Sequence, residues 1–274
     1  MRFRAGGVRF CVEPDAALIR VEREAIGRLD ADGGDGAQAP VRIELTDSPP
    51  WTSDDPALFP QWEPAVQRWA DERLLCSHRS FTAEIDPFAG RALLYRREER
   101  AYPLEAVIRT AMMARLPLIG GLPLHAAGVV VLGRGIVFFG PSGAGKTTVA
   151  STSPYPVLSD ELVAVNQASP FDLVRSGFWG EGRESGRGGP APLALLADLA
   201  KGPAFRLTRL RPAEAAGRVL ASAPVPLAPP LWSRVLAVVA ELVQRVPVYR
   251  MEWAPTEPPW ERLAEILDAA TPRT

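Results

Sequence analysis

Lysine is almost absent from this chain. Of the 31 basic residues among 274, only Lys146 and Lys201 are lysines, and the rest are arginines. The 32 acidic residues balance them to a formal net charge of −1, and the arginines form no basic tract or stripe. Domains that bind nucleic acids carry a clustered excess of positive charge. The composition therefore predicts a protein without a nucleic-acid partner.

Cysteine and long apolar runs are scarce as well. Cys11 and Cys76 are the only cysteines, and they form neither a Cys-x-x-Cys pair nor a Cys/His cluster, which argues against a disulfide framework and a structural zinc site. The longest uncharged stretch, between Arg115 and Arg134, is interrupted by prolines and glycines and does not predict a membrane span. The charged N-terminus lacks an apolar segment with a cleavage site. We therefore expect a cytoplasmic protein with no membrane partner, and the sequence leaves a homo-oligomer open.

Residues 1–100 show the alternation that is typical of β-strands. Apolar side chains recur at every second position in three segments, which are Val8/Phe10/Val12, Val41/Ile43/Leu45 and Phe81/Ala83/Ile85. We recognise no catalytic motif among them. We interpret residues 1–100 as a β-rich N-terminal section and residues 101–274 as a separate domain.

The second section begins with a helix and a hairpin. Leu104–Leu116 places apolar residues on one helical face, and Pro117 ends it. Ala126–Leu132 and Ile136–Phe139 then predict two strands joined by a tight turn. After Pro192 the pattern predicts short helical and turn segments. The elements expected near the C-terminus are a helix over Leu231–Arg245, a strand over Val248–Trp253 and a helix over Trp260–Ala270.

The most specific motif follows the second strand of the hairpin, and it matches G-x-x-x-x-G-K-T, the phosphate-binding loop of nucleotide-binding proteins. Its glycines let successive backbone N–H groups surround phosphate oxygens, and its slim lysine reaches the β and γ phosphates as a point charge. Its threonine offers a hydroxyl to Mg²⁺. The residues expected to bind ATP are Gly140, Pro141, Ser142, Gly143, Ala144, Gly145, Lys146, Thr147 and Thr148.

An acidic pair, Asp160 and Glu161, follows an apolar strand shortly after the loop. Phosphoryl transfer requires a metal ion beside the phosphates and usually a carboxylate that holds the metal or accepts the proton of the nucleophile. The returning chain can bring the pair back toward Thr147. We therefore expect Thr147, Glu161 and Asp160 as Mg²⁺ ligands and Asp160 as a catalytic residue together with Lys146. An ordinary acidic turn is the alternative interpretation.

Three further residues are weaker candidates. His125 opens the strand that pairs with the strand of the loop, where its imidazole either assists at the transferred phosphate or packs as a structural side chain. Arg183 and Arg187 lie in a glycine-rich segment over Gly177–Gly189, which we interpret either as a lid whose guanidinium groups clamp phosphate or as a solvated loop.

Four segments together resemble the catalytic domain of HPr kinase/phosphorylase and the smaller HPr-kinase-related proteins, whose core is shared with phosphoenolpyruvate carboxykinase. They are LPLHAAGVVV, FFGPSGAGKTT, YPVLSDELVAV, and GFWGEG with the following APLALLADL, and they cover about Leu122 to Val219. The resemblance implies an α/β fold with a mixed-sheet P-loop core, and it places His125, Asp160 and Glu161 at the active centre. Related kinases phosphorylate a serine of a peptide.

The chain also departs from that family. The helix after Lys146 is short, and Glu161 stands where the bifunctional enzymes carry a second aspartate. The Glu-Arg-Gly signature of those enzymes has no convincing counterpart, and the first hundred residues do not resemble their regulatory domain. Phosphorolysis and HPr as the substrate are therefore not implied.

These observations favour an ATP-dependent, Mg²⁺-requiring phosphotransferase that acts on a serine of a peptide or small protein. Asp160 would activate the hydroxyl, and His125 would assist at the phosphoryl group. A module that senses ATP without transferring phosphate is an alternative from another class, because the same acidic pair suits a binding-only site. A transport-type P-loop ATPase is disfavoured, because no LSGGQ-like signature follows the loop.

Overall fold

The computed structural model describes residues 1–31, 38–54, 66–167, 171–180, 189–226 and 229–269. Contacts between residues divide the chain into two units, one made of Met1–Leu118 with Pro226–Trp232 and the other of Ile119–Val225 with Ser233–Thr274. Each unit is built on a mixed sheet of eight strands, so the protein has a mixed α/β fold. None of the helices in the described ranges combines the length and the apolar character needed to cross a membrane.

The described part of Met1–Leu118 in the first unit forms eight strands and two helices. The strands are β1 (Arg2–Ala5), β2 (Val8–Glu13), β3 (Asp30–Ala31), β4 (Val41–Leu45), β5 (Val66–Ala70), β6 (Arg73–His78), β7 (Phe81–Asp86) and β8 (Arg91–Arg96). The helices are α1 (Arg20–Ile26) and α2 (Tyr102–Arg115), and short 3₁₀ turns cover Asp15–Ala17 and Leu116–Ile119. The strand order is β3-β1-β2-β4-β8-β7-β6-β5, with parallel pairing only between β2 and β4 and between β4 and β8.

The apolar alternation seen in the sequence lies on strands of this sheet. In β4, Val41 and Ile43 are buried while Arg42 between them is exposed. Helix α2 packs on β1, β2, β7 and β8, and its buried face includes Val107, Ile108 and Ala111. The predicted strands and the predicted helix are therefore confirmed, and α2 belongs to the first unit.

The second unit contains the remaining strands and helices. The strands are β9 (Leu122–Val131), β10 (Arg134–Phe139), β11 (Val157–Ser159), β12 (Leu162–Asn166), β13 (Asp172–Arg175), β14 (Ala191–Lys201), β15 (Arg206–Arg209) and β16 (Val248–Trp253). The helices are α3 (Lys146–Ser151), α4 (Pro212–Ala221), α5 (Pro229–Arg245) and α6 (Trp260–Ala269), and the first residues of α5 belong to the first unit.

Strand β10 lies inside the second sheet. It pairs antiparallel with β9, as the hairpin pattern predicts, and parallel with β14, which in turn pairs parallel with β16. Every residue from Gly135 to Phe139 is buried, as expected for a strand covered on both faces. The expectation of short helical and turn segments after Pro192 is wrong at β14, because eleven residues there form a strand between β10 and β16.

Candidate functional site

The glycine-rich loop, residues 140–145, leaves the buried end of β10 with three residues in left-handed backbone conformations. The φ angles are 144° at Gly140, 75° at Gly143 and 105° at Gly145. Residues with a Cβ rarely adopt such angles, so glycine is required at these positions by the backbone itself. Pro141, Ser142 and Gly143 are exposed. The tip of the loop therefore faces solvent, while the strand from which it leaves is buried.

Neighbouring elements also press closely on this loop. A Cβ at Gly145 would lie 3.2 Å from the ring of Trp253 in β16, and a Cβ at Gly140 would lie 3.3 Å from the carbonyl oxygen of Leu199 in β14. Both distances are tighter than ordinary van der Waals contact. The parallel strands β14 and β16 thus hold the loop in place, and their packing adds a second reason for glycine at its two ends.

Lys146 begins α3 and turns back over the loop. Its Nζ donates hydrogen bonds to the carbonyl oxygens of Gly140 at 3.1 Å and of Pro141 at 3.3 Å, and the residue is only 8% exposed. Burial lowers the pKa of Lys146, and the nearby Glu161 carboxylate partly opposes this shift. An anion beside this ammonium would offset the energetic cost of burying its charge. Thr147 is half-buried and Thr148 is exposed in the first turn of α3.

The acidic pair sits in the turn between β11 and β12, and Ser159 organises that turn. The buried Ser159 hydroxyl accepts hydrogen bonds from the backbone N–H groups of Glu161 and Leu162, both at 3.1 Å, and donates to the carbonyl oxygen of Phe178 at 2.7 Å. One side chain therefore ties the acidic turn to the segment that follows β13.

Asp160 is 2% exposed and is fixed by that segment. Its Oδ1 accepts a hydrogen bond of 2.9 Å from the backbone N–H of Gly180. A Cβ at Gly180 would lie 3.2 Å from Asp160 Oδ2 and 3.3 Å from Glu161 Cβ, so a larger residue would press on both acids. Asp160 is thus a buried carboxylate with a set orientation.

His125 and Glu161 are brought together across β9 and β12. The backbone N–H of Ala126 donates to the carbonyl oxygen of Glu161 at 3.1 Å, and His125 Nδ1 lies 3.5 Å from Glu161 Oε1. Both side chains are partly exposed. Because Glu161 also acts on Lys146, the structure joins three of the predicted site residues, His125, Glu161 and Lys146, in one neighbourhood. Asp160 directly precedes Glu161 in sequence and accepts the backbone N–H of Gly180.

The described residues contain no group of three or more His, Cys, Asp or Glu side chains arranged to hold a metal ion. Mg²⁺ commonly uses one or two protein carboxylates together with phosphate oxygens and water. The Thr147 hydroxyl and the Glu161 carboxylate fit this pattern of few protein ligands. Thr147 lies in the first turn of α3, and Glu161 is close enough to Lys146 to influence its pKa. Arg183 and Arg187, and most of the predicted lid, lie outside the described residues.

Sequence reasoning missed a second carboxylate beside the glycine-rich loop. Asp198 is paired in register with Phe139, the last residue of β10, and its Oδ1 would lie 3.5 Å from a Cβ at Gly140. It accepts a hydrogen bond of 2.6 Å from Arg218 of α4. Burial raises the pKa of Asp198, and the attraction of Arg218 only partly opposes this shift. The apolar run that ends at Asp198 was the available signal.

A comparison of the chain with models of known protein families, and another with curated proteins, find no match.

Proposed function

We propose that the second unit binds Mg·ATP and transfers the γ phosphate to a hydroxyl, with serine of a peptide or small protein as the acceptor. The observation that carries this proposal is the position of Lys146. Its ammonium donates hydrogen bonds to two carbonyl oxygens of a loop whose glycines adopt left-handed backbone conformations. Backbone arranged in this way forms a concave nest for anions. The conclusion rests on local geometry and on the chemistry of the loop residues.

The hydrogen bonds of Lys146 support a role in binding phosphate. Two carbonyl oxygens are neutral acceptors, so the buried ammonium has no full counter-charge from them. Phosphate oxygens would supply that charge and form stronger, charge-assisted hydrogen bonds. The negative charge of a bound triphosphate would therefore stabilise the ammonium and oppose the lowering of the Lys146 pKa that burial causes. Thr148, exposed in the first turn of α3, is available to the same ligand.

Thr147 and Glu161 are the proposed Mg²⁺ ligands, with Asp160 as a further candidate. Mg²⁺ held by these residues would neutralise part of the negative charge of the phosphates during transfer. The role of Glu161 is not limited to the metal, because its carboxylate lies 3.5 Å from His125 Nδ1 and orients that ring. His125 is then positioned to assist at the transferred phosphoryl group.

Asp160 is the proposed base that accepts the proton of the acceptor hydroxyl. A general base must be held within reach of the proton that it removes, and the hydrogen bond from Gly180 gives Asp160 a defined orientation. The carboxylate would take the proton while the acceptor oxygen attacks the γ phosphorus and the bond to ADP breaks.

The Asp160→Asn variant tests this function. Asparagine keeps the shape and can still accept the Gly180 N–H, so Mg·ATP affinity should stay within a few-fold of the parent value. Phosphate transfer in a single turnover should fall by about 10² to 10⁴-fold. Affinity is measured by titration at fixed Mg²⁺, and transfer by labelled ATP with serine peptides.

Asp86→Asn is the matched control, because Asp86 also accepts a backbone N–H, that of Ala89 at 2.7 Å, but lies in the first unit. It should leave both measurements unchanged. Undiminished transfer in Asp160→Asn would rule out Asp160 as the base. Tight Mg·ATP binding by a parent protein that transfers phosphate to no hydroxyl would favour the sensing module instead.

A further inference from the structure

A cleft of about 300 Å³ borders the glycine-rich loop on the side of β14 and β16. It is formed by the loop tip, the end of β14, and one arginine each from α4 and β16. Its lining residues are Pro141, Ser142, Gly143, Ala144, Asp198, Leu199, Ala200, Lys201, Arg218 and Arg250. Neither His125 nor Glu161 lines it, so it is distinct from the neighbourhood that those residues share with Lys146.

The lining of this cleft carries three cations and one carboxylate. Arg218 is engaged by two acids, since its guanidinium lies 2.6 Å from Asp198 Oδ2 and 3.0 Å from Glu214 Oε1. Asp198 therefore holds Arg218 against the wall of the cleft and offsets one positive charge. The other two cations lie farther from carboxylates than Arg218 does.

Those two cations are Lys201 and Arg250. Lys201 is exposed at the end of β14 and pairs with no carboxylate among the described residues. Arg250 is partly exposed, and its Nε lies 3.8 Å from Glu252 Oε1, beyond the range of a hydrogen bond. Arg250 is also the cross-strand partner of Asp198, which places it in the row next to the loop. Both side chains thus have donors to offer.

Both lysines of the chain lie beside the glycine-rich loop. Lys146 lies over it, and Lys201 lines the cleft beside it, although every other basic residue is arginine. An ammonium is a compact point charge with three donors, whereas a guanidinium offers a planar fork suited to two oxygens of one anion. A lysine and an arginine facing one cleft therefore match a small group with several oxygens.

We propose that this cleft binds an oxyanion, a phosphate or carboxylate group separate from the triphosphate, through Lys201 and Arg250. Arg218, anchored by Asp198, supplies the fixed positive wall, and the exposed tip of the glycine-rich loop closes the other side. The oxyanion comes either from free phosphate or from an acidic side chain of a peptide. This binding does not require phosphate transfer, so it stands apart from the proposed function.

The test uses the full chain with two probes, inorganic phosphate and a synthetic peptide rich in glutamate. Both are titrated calorimetrically into the Lys146→Ala protein, in which phosphate can no longer be held by the loop lysine. The compared variants add Lys201→Gln, Arg250→Gln or both. The matched control adds Arg206→Gln, because Arg206 is a 74% exposed arginine on the neighbouring strand β15 that does not line the cleft.

We expect at least one probe to bind the Lys146→Ala protein, more weakly at higher salt. Each single substitution should weaken that binding by up to about fivefold. The double variant should bind more weakly than either single variant, although the two losses need not multiply because both side chains contact one anion. Arg206→Gln should have little effect. Binding of phosphate alone would identify the free ion, and binding of the peptide alone would identify the acidic side chain.

The proposal is overturned if neither probe binds, if the double variant binds as well as its background, or if Arg206→Gln weakens binding as much as Arg250→Gln. Mg·ATP titrations of Lys201→Gln and Arg250→Gln in the parent chain complete the test. Retained ATP affinity supports a separate site. A loss of ATP affinity as large as the loss of probe binding would assign the cleft to the nucleotide and overturn the proposal.

Discussion

Each unit of this protein contains a buried carboxylate that is paired with an arginine at a separation of 2.6 Å. In the first unit the pair is Glu22 with Arg96, and in the second it is Asp198 with Arg218. Burial raises the pKa of both carboxyl groups, and the arginine opposes the shift in both. The chemistry of the two pairs is therefore alike, and only their surroundings differ.

The pair in the first unit is enclosed by its own fold. Glu22 is fully buried, and its Oε2 also accepts the backbone N–H of Ile19 at the start of α1. Arg96 donates a second hydrogen bond to the carbonyl oxygen of Ala17. The pair thus joins β8 to the 3₁₀ turn and to α1. Its two charges contact each other and backbone groups of the first unit.

The pair in the second unit borders a cleft. The Arg218 side chain is 36% exposed, compared with 19% for Arg96, and Asp198 adjoins the glycine-rich loop. Other polar groups of this unit also lie just after strands. Lys146 follows the loop after β10, and Asp160 directly follows β11. The two ion pairs therefore share the same separation and differ in their exposure to solvent.

The largest stability effect should come from breaking the enclosed pair. Arg96→Met leaves Glu22 buried without its counter-charge, and we expect the free energy of unfolding to fall by about 3 kcal/mol or more at neutral pH. Glu22 has a folded-state pKa above its ordinary value of 4.5, and the substitution raises it further. A raised carboxyl pKa favours folding at low pH and costs stability as pH rises through it. The deficit should therefore be larger at pH 8 than at pH 5 in urea titrations.

Arg73→Met is the control for that measurement. Arg73 pairs with Glu84 at 3.1 Å but is 50% exposed, so its loss should cost less than about 1 kcal/mol at either pH. An Arg96→Met deficit that did not change between pH 5 and pH 8 would contradict the assignment of the cost to the Glu22 charge.

The next effect concerns ligand-dependent stability in the second unit. At a concentration about 100-fold above its dissociation constant, a ligand stabilises its protein by about 2.7 kcal/mol. Lys146→Ala should abolish this gain from Mg·ATP, because the ammonium acts on the phosphates, while the far-UV circular dichroism stays unchanged. Thermal unfolding with and without Mg·ATP measures it. Lys201→Ala, at the other lysine, should keep the full gain, and a full gain in Lys146→Ala would refute the phosphate-loop assignment.

The smallest effect should come from the pair beside the cleft. Asp198→Asn keeps the size of the side chain, and Arg218 retains Glu214, so we expect a loss of about 1 kcal/mol in the free energy of unfolding. Removing this negative charge should also strengthen phosphate binding in the cleft by a few-fold. A loss of stability as large as that of Arg96→Met, with phosphate binding unchanged, would show that the two pairs have the same structural role.

The sequence predicts the elements whose pattern is local. The alternation at Val41 and Ile43, the helical face at Val107 and Ala111, and the hairpin before the glycine-rich loop are all confirmed. In each case burial of one face follows from neighbouring residues along the chain. The proximity of His125 and Glu161 was implied only by the family resemblance, and their 3.5 Å separation depends on the register of β9 with β12.

Strand β14 shows where local pattern fails. Its sequence, APLALLADLAK, is rich in alanine and leucine, which are among the strongest helix formers. Pairing with β10 on one side and β16 on the other overrides that preference. Both edges of β14 form backbone hydrogen bonds, and most of its side chains are buried. Because the strand was not predicted, neither was the place of Asp198 beside the loop.

The sequence by itself determined the glycine-rich loop, because left-handed backbone at Gly140, Gly143 and Gly145 and the spacing to Lys146 are properties of consecutive residues. It also determined the acidic turn, where Ser159 bonds its own neighbours. Only the tertiary structure decided which charges meet across the chain. Asp198 and Arg218 are twenty residues apart, and their pairing depends on a parallel strand register and a helix position that no local propensity encodes.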